Sequence, residues 1–110
     1  MEEHSQDVSI HKEEVELLKR RAYEFLEEAR MAMRRGFHDG ACFLAEQAAQ
    51  LFLKAVLLEA VGDYPRTHSV RRLLGEIQQI MESQELKEFV RAIKRDFQPS
   101  KMRISWLDTS

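Results

Sequence analysis

From Ala41 to Val61 the chain reads ACFLAEQAAQLFLKAVLLEAV, apolar on nearly every side and broken only by Glu46, Gln47, Gln50, Lys54 and Glu59. At about 100° per residue, Glu46, Gln50 and Lys54 fall on one narrow stripe, with Gln47 at its edge. A helix this apolar round its circumference has to be covered by other protein. The stretch is therefore expected to be the central helix, with the rest of the chain packed around it.

The flanking segments are amphipathic and suit that task. Val15, Leu18, Ala22, Phe25, Ala29 and Met33 recur in alternating steps of three and four, which predicts a helix from about Lys12 to Arg35. Glu24, Glu27, Glu28, Arg30 and Arg34 are assigned to its wet face. Residues 1–11 show no such period and are expected to fray, leaving 12–110 as one domain. Gly36 is a natural stop, and the short Gly36–Gly40 connection folds the first two helices into an antiparallel hairpin. Asp39 is the expected N-cap of the central helix. Its alanines let helices approach, and Phe43, Leu44, Phe52 and Val56 supply bulk.

Gly62 ends the central helix, and Pro65 disfavours helix at Tyr64. A third helix starts at Thr67 or Ser69 and runs to Met81 or Glu82, with Val70, Leu73, Leu74, Ile77, Ile80 and Met81 as its apolar face. Gly75 weakens it by about 1 kcal/mol against alanine. A fourth, capped by Ser83, carries Leu86, Phe89, Val90, Ile93 and Phe97 and stops before Pro99. In the tail, Met102, Ile104 and Trp106 alternate as in a strand that has nothing to pair with. An irregular docked segment or a short fifth helix is expected there. The fold class is all-α, an up-down antiparallel four-helix bundle. Its apolar supply exceeds what three helices can cover, so a homodimer is expected to bury the leftover face. The competing reading is a monomer whose tail covers that face.

With 17 basic and 19 acidic residues and a net charge of −2, the chain lacks the basic excess of a duplex-DNA binder. The acidic, polar N-terminus MEEHSQD leads us to expect no signal peptide, and with Glu46, Gln47, Gln50, Lys54 and Glu59 interposed no apolar run is expected to reach the roughly 18 residues of a membrane span. The cytoplasm is the expected compartment. Cys42, the single cysteine, reads as a structural thiol on the central helix. No pair among His4, His11, His38 and His68 has the three- or four-residue helical spacing with a carboxylate that a zinc site would show, so neither metal nor cofactor is expected.

His68 lies in PRTHSVRRLL, where a helix begins among Arg66, Arg71 and Arg72. Unpaired backbone N–H groups and guanidinium groups together attract phosphate. The competing reading has His68 hydrogen-bonded within the turn and the arginines in water. Glu46, Gln50 and Lys54 likewise read either as a polar seam lining a cleft or as a plain solvent edge. Arg91, Lys94, Arg95, Lys101 and Arg103 make a modest patch for RNA or an acidic partner, or an ordinary solvated face.

The run FLEEARMAMRRGFHDGACFLAEQAAQLFLKAVLLEAVGDYPRTHSVRRLL resembles the HEPN domain over roughly Val15 to Leu74. The resemblance rests on the helix–glycine hairpin, the A-x-x-x-E-Q-A-x-Q-x-x-x-K-A central helix and the P-x-T-H start of the third. It implies a four- or five-helix bundle, usually dimeric. It also implies frequent pairing with a minimal nucleotidyltransferase, in toxin–antitoxin or related systems, and nucleotide binding. Gln47 and Lys54 match the polar positions of the central helix, and His68 matches the histidine of the third-helix start. Gln50 stands where many members carry glutamate, and no tyrosine-rich closing helix follows. Some branches are metal-independent RNases in which four to six residues separate an arginine from a following histidine. Here those positions before His68 hold Val61, Gly62 and Asp63, and no other histidine has such a partner.

The expected function is a non-catalytic binding module, dimeric, acting with a minimal nucleotidyltransferase and presenting Lys54, Arg66, His68 and Arg72 to a nucleotide phosphate. One alternative is a ribonuclease toxin with an unconventional site around His68. The other is a structural helical adaptor with no ligand.

Overall fold

The structure is a computed structural model that describes residues 2–80 and 82–97, with side chains described for 11–79 and 82–97. Four helices follow one another: α1 (Glu2–Arg34), α2 (His38–Val61), α3 (Val70–Ile80) and α4 (Gln84–Phe97). The all-α class is as expected. The proposed ends of α3 and α4 at Met81 and Pro99, and the tail from residue 98, lie outside the described residues.

Helix α1 begins ten residues before the period does. Its apolar stripe marks the packed part of the helix, whereas the helix itself is propagated to Glu2 by residues such as Glu2, Glu3 and Glu13 that favour helix. Gly36, at φ +82°, ends it in the left-handed conformation. The N–H of Phe37 donates to the carbonyl of Ala32 at 2.9 Å, and that of Gly36 to Met33 at 3.0 Å. This paired arrangement closes a helix while reversing the chain. The turn is so tight that α2 starts at His38 with Phe37 as its cap residue, without a side-chain capping bond. Asp39 thus falls inside the first turn, where its charge complements the dipole but does not cap the helix.

The hairpin packs along a seam of alternating small and large residues. On α2 the heptad steps run Ala41, Leu44, Ala48, Leu51, Ala55 and Leu58; on α1 they run Val15, Leu18, Ala22, Phe25 and Ala29. Ala22, Ala29, Ala41, Ala45, Ala48 and Ala55 are fully buried. At the open end of the hairpin, Val15 and Leu18 pack with Ala55 and Leu58. On another side of α2, Phe52 stacks on Phe89 of α4 at 4.3 Å, and Tyr23 of α1 sets its edge against both rings. Leu53, Leu57, Leu73, Ile77, Ile93 and Phe97 complete the core. Helix α2 is indeed the centre. Phe43 is the exception among its bulky residues, 60% exposed rather than packed.

Helix α4 runs alongside α1 in the same direction. Lys19 donates to Glu85 at 2.8 Å, Tyr23 meets Phe89, and Arg30 donates to Asp96 at 2.6 Å, three contacts with one constant offset in sequence. Strict up-down alternation would oppose these two helices. The reason for the difference is the extended segment 62–69. After Gly62 (φ +82°) the chain returns along α2, and His68 reaches Gln50. Helix α3 then descends beside α2 toward Glu59, which shares Lys19 with Glu85 at the start of α4. A crossover of this kind is one of the known variants of four-helix topology. Ser69 and Ser83 cap α3 and α4, accepting from the N–H groups of Arg72 (3.2 Å) and Leu86 (3.1 Å).

Two sequence expectations are corrected by the packing. Arg30, assigned to the wet face of α1, is half-buried and ties α1 to α4. Helix α2 is also long and apolar enough, by length and composition, to cross a membrane, despite its interruptions. Most of that stretch is buried inside the bundle, which accounts for its apolarity.

Partial burial pushes the Asp96 carboxyl up, but the hydrogen bonds from Arg95 and Arg30 outweigh it and hold the group below its ordinary range. A carboxyl depressed by folding stabilises the fold above its unfolded pKa, about 3.9, and that contribution disappears as pH falls through the folded value. Asp96→Asn is therefore expected to lower the melting temperature near neutral pH. The gap from wild type should narrow as pH falls below about 3.9 and close once the folded carboxyl is protonated as well. Thermal unfolding followed by circular dichroism between pH 2.5 and 7 checks both features.

Candidate functional site

Along the polar stripe of α2, Gln47 and Lys54 are half-buried and Gln50 is buried. Segment 62–69 lies over part of it. Pro65 favours extended backbone at Tyr64, and the Tyr64 N–H donates to the Asp63 carboxylate at 2.8 Å. The Tyr64 ring then sits under the Lys54 ammonium, 5.6 Å from its centroid, a cation–π distance. One helical turn earlier, Gln50 meets His68, with Oε1 and Nδ1 3.3 Å apart. With the amide carbonyl turned to the ring, Nδ1–H is the donor of this bond.

Gln50 is the sole buried polar residue of the described core, 8% exposed. A buried amide requires a partner, and His68 supplies one. Of the two readings of His68, the ring is thus held by a side chain of α2 rather than by turn backbone. The short Thr67–Ser69 segment is itself fixed by the Ser69 N–H, which donates to Thr67 Oγ1 at 3.1 Å.

Of the residues singled out from sequence, Gln50, Lys54 and His68 are brought to one face, and Gln47 lies on the same strip, half-buried. Among the described residues no carboxylate lies within ion-pair distance of Lys54, so its charge is met by a ring alone. Arg66 is exposed on the covering segment. Arg72 turns to Glu76 of its own helix at 3.9 Å, both groups largely in water, and is not gathered to the strip. Glu46 is half-buried on the other edge of the strip, where it acts on Cys42. Burial, then the charges of Glu46 and Asp39, push the Cys42 thiol up, which opposes a thiolate nucleophile.

Two features were missed from sequence. Tyr64 completes the Lys54 site, and the only signal for it was an aromatic residue preceding proline in the turn. The strip also has apolar ends. Phe43, Gln47, Gln50, Lys54 and Val61 share one side of α2, and Phe43 and Val61 are 60% and 56% exposed. Of the C-terminal basic residues, Arg91 and Lys94 line one groove together with Lys87, Arg95 pairs with Asp96 at 3.1 Å, and Lys101 and Arg103 lie outside the described residues. Among the described residues no three His, Cys, Asp or Glu side chains converge as metal ligands would.

Chemically, the arrangement offers a cation, an imidazole and two amides on a half-open surface. These groups suit recognition of an anion or a polar ring. A family model described as HEPN domain matches residues 15–108, extending past the hairpin through α3, α4 and into the tail. No curated protein and no solved structure matches the chain.

If Gln50 and His68 satisfy one another, their substitutions are not additive. A double-mutant cycle with Gln50→Leu and His68→Ala should give a coupling of about 0.5–1.5 kcal/mol in urea unfolding. Simple additivity would show that the pair does not interact.

Proposed function

The chain belongs to the HEPN domain family, and from that premise we propose that it is a non-catalytic binding module of the cytoplasm. It works as a homodimer with a minimal nucleotidyltransferase and takes a nucleotide phosphate on the α2 strip. The observation that carries this reading is the Lys54 ammonium, held over Tyr64 with no carboxylate in ion-pair distance among the described residues, one turn from the Gln50–His68 pair. An ammonium covered on one side by a ring favours an anionic ligand.

The exposed Phe43 and Val61 at the strip's ends, with Phe37 61% exposed at the hairpin, support the dimer. Scattered apolar residues on a surface are ordinary, but large rings flanking a polar strip on the central helix are a reasonable interface. Support for a non-catalytic role comes from residues 61–63, which hold no arginine before His68. His68 is also engaged by Gln50 on its Nδ1. Arg72, one of the two arginines (with Arg66) that an unconventional ribonuclease site could use, is turned to Glu76.

Calorimetry with ATP as the probe tests the ligand, and light scattering on the eluting protein tests the assembly. Binding should be measurable for wild type and weakened about tenfold or more, near 1.4 kcal/mol, by Lys54→Ala. The mass should be twice 13.0 kDa. Failure to bind ATP, together with failure to co-purify with a nucleotidyltransferase, would remove the proposal. RNA cleavage lost in His68→Ala would replace it with the toxin reading.

A further inference from the structure

Helices α3 and α4 flank a groove of about 470 Å³. Leu74 and Ile77 come to it from α3, and Leu86 and Val90 from α4, so both walls bring apolar side chains to its floor. Ile77 and Leu86 are buried, whereas Leu74 and Val90 are half-buried. The charge along the groove is one-sided. Lys87, Arg91 and Lys94 follow one another on α4 in steps of four and three, which sets them on one face of that helix. At a rise of 1.5 Å per residue, they extend over about 10 Å. Glu82, the one carboxylate lining the groove among the described residues, is already held by Lys87 at 2.9 Å. The α3 wall adds Gln78, which is neutral. The described lining includes no residue of α2, so the groove is distinct from the Lys54–His68 strip.

We propose that this groove docks an acidic amphipathic helix of another protein, whose apolar residues recur in steps of three and four beside a row of Asp or Glu. Shape, floor and charge each argue for that occupant. An apolar channel between two helices takes the apolar stripe of a third, by the same packing that builds the bundle. A nucleic acid would lay a charged backbone on this floor, where Leu74 and Val90 offer it no hydrogen bond. A single small anion would meet one cation of the row and leave the floor uncovered. Cations one turn apart match carboxylates one turn apart on a helix lying along α4, because both rows advance at the same rise per residue. The positive surplus is also local. The chain as a whole carries −2, so an acidic partner is drawn to this edge rather than to the molecule at large.

The groove shares no residue with the nucleotide site proposed above, and the inference stands or falls separately from that reading.

The probe is a fluorescent peptide of about four helical turns, with leucine at i, i+3, i+4 and i+7, glutamate flanking them and alanine elsewhere. Its control carries lysine in place of glutamate. In polarisation titrations with the full chain, the glutamate peptide should bind, and the lysine peptide should bind about tenfold more weakly or less. Arg91→Glu, a change at an exposed position, should weaken the glutamate peptide about tenfold. In the methyl-labelled wild-type chain, the peptide should shift the resonances of Leu74, Ile77, Leu86 and Val90. Should Arg91→Glu lose its helix content by far-UV circular dichroism, those methyl shifts decide the matter. The inference is overturned by an absence of binding, by equal affinity for the two peptides, or by methyl shifts that fall elsewhere. Binding untouched by Arg91→Glu in a folded variant overturns it as well. Single-stranded oligouridylate that displaces the peptide at equal concentration overturns it in favour of RNA. Shifts of the same methyls on raising protein concentration alone overturn it in favour of a second copy.

Discussion

Everything in this bundle depends on how closely α1 and α2 approach along their alanines. Ala22 and Ala29 on one helix and Ala41, Ala48 and Ala55 on the other are buried without bulk. The leucines between them, and Val15 and Leu18 opposite, fill the seam. A large side chain at any of these alanines would overpack the interface, a change that costs about 1–3 kcal/mol in well-filled cores. Because the hairpin is so tight, the remaining sides of α2 must be covered by the short helices. The Phe52–Phe89 stack, edged by Tyr23, fixes α4 there. Offset and edge-on ring pairs contribute beyond the area they bury.

The architecture also decides where chemistry can be. Helices α1, α3 and α4 pack against α2, and the polar strip of Gln47, Gln50 and Lys54 runs along it. The extended return of segment 62–69 partly closes this side and delivers Tyr64 and His68 to it. A buried glutamine on a core helix is costly unless paired, and the pairing with His68 fixes the segment that carries it. The site is thus a by-product of the crossover: were α3 to follow α2 through a short turn, these groups would never meet. Membership of the HEPN family, shown by the match over residues 15–108, agrees with a small all-helical module.

Much of this was legible in the residues. Steps of three and four marked the three flanking helices, glycines marked two stops, and Ser69 and Ser83 marked two starts, because caps and periods are local properties. The identity of the central helix followed from its apolar circumference. What could not be read were facts set by pairs far apart in sequence. Lys19, Arg30, Glu85 and Asp96 look like ordinary surface charges until α1 and α4 lie side by side. Phe43 looks like core until the helix is turned so that its polar strip faces outward, which carries Phe43 with it. Asp39 was a sound cap by type, but the turn after Gly36 was one step tighter than its composition suggested. Of the site, Gln50, Lys54 and His68 were found by type and motif. Tyr64 was not, since its place depends on the path of a segment without periodicity.

The central claim is that α2 is the rod on which the other elements are assembled. Amide hydrogen exchange on the native protein addresses it most directly, because core segments open only with global unfolding whereas peripheral ones open locally. The expected result is that amides from Ala45 to Leu58 exchange most slowly, with the full unfolding free energy, and that α3 exchanges earlier. Exchange of α2 that is as fast as that of α3, under conditions where the bundle stays folded, would contradict it.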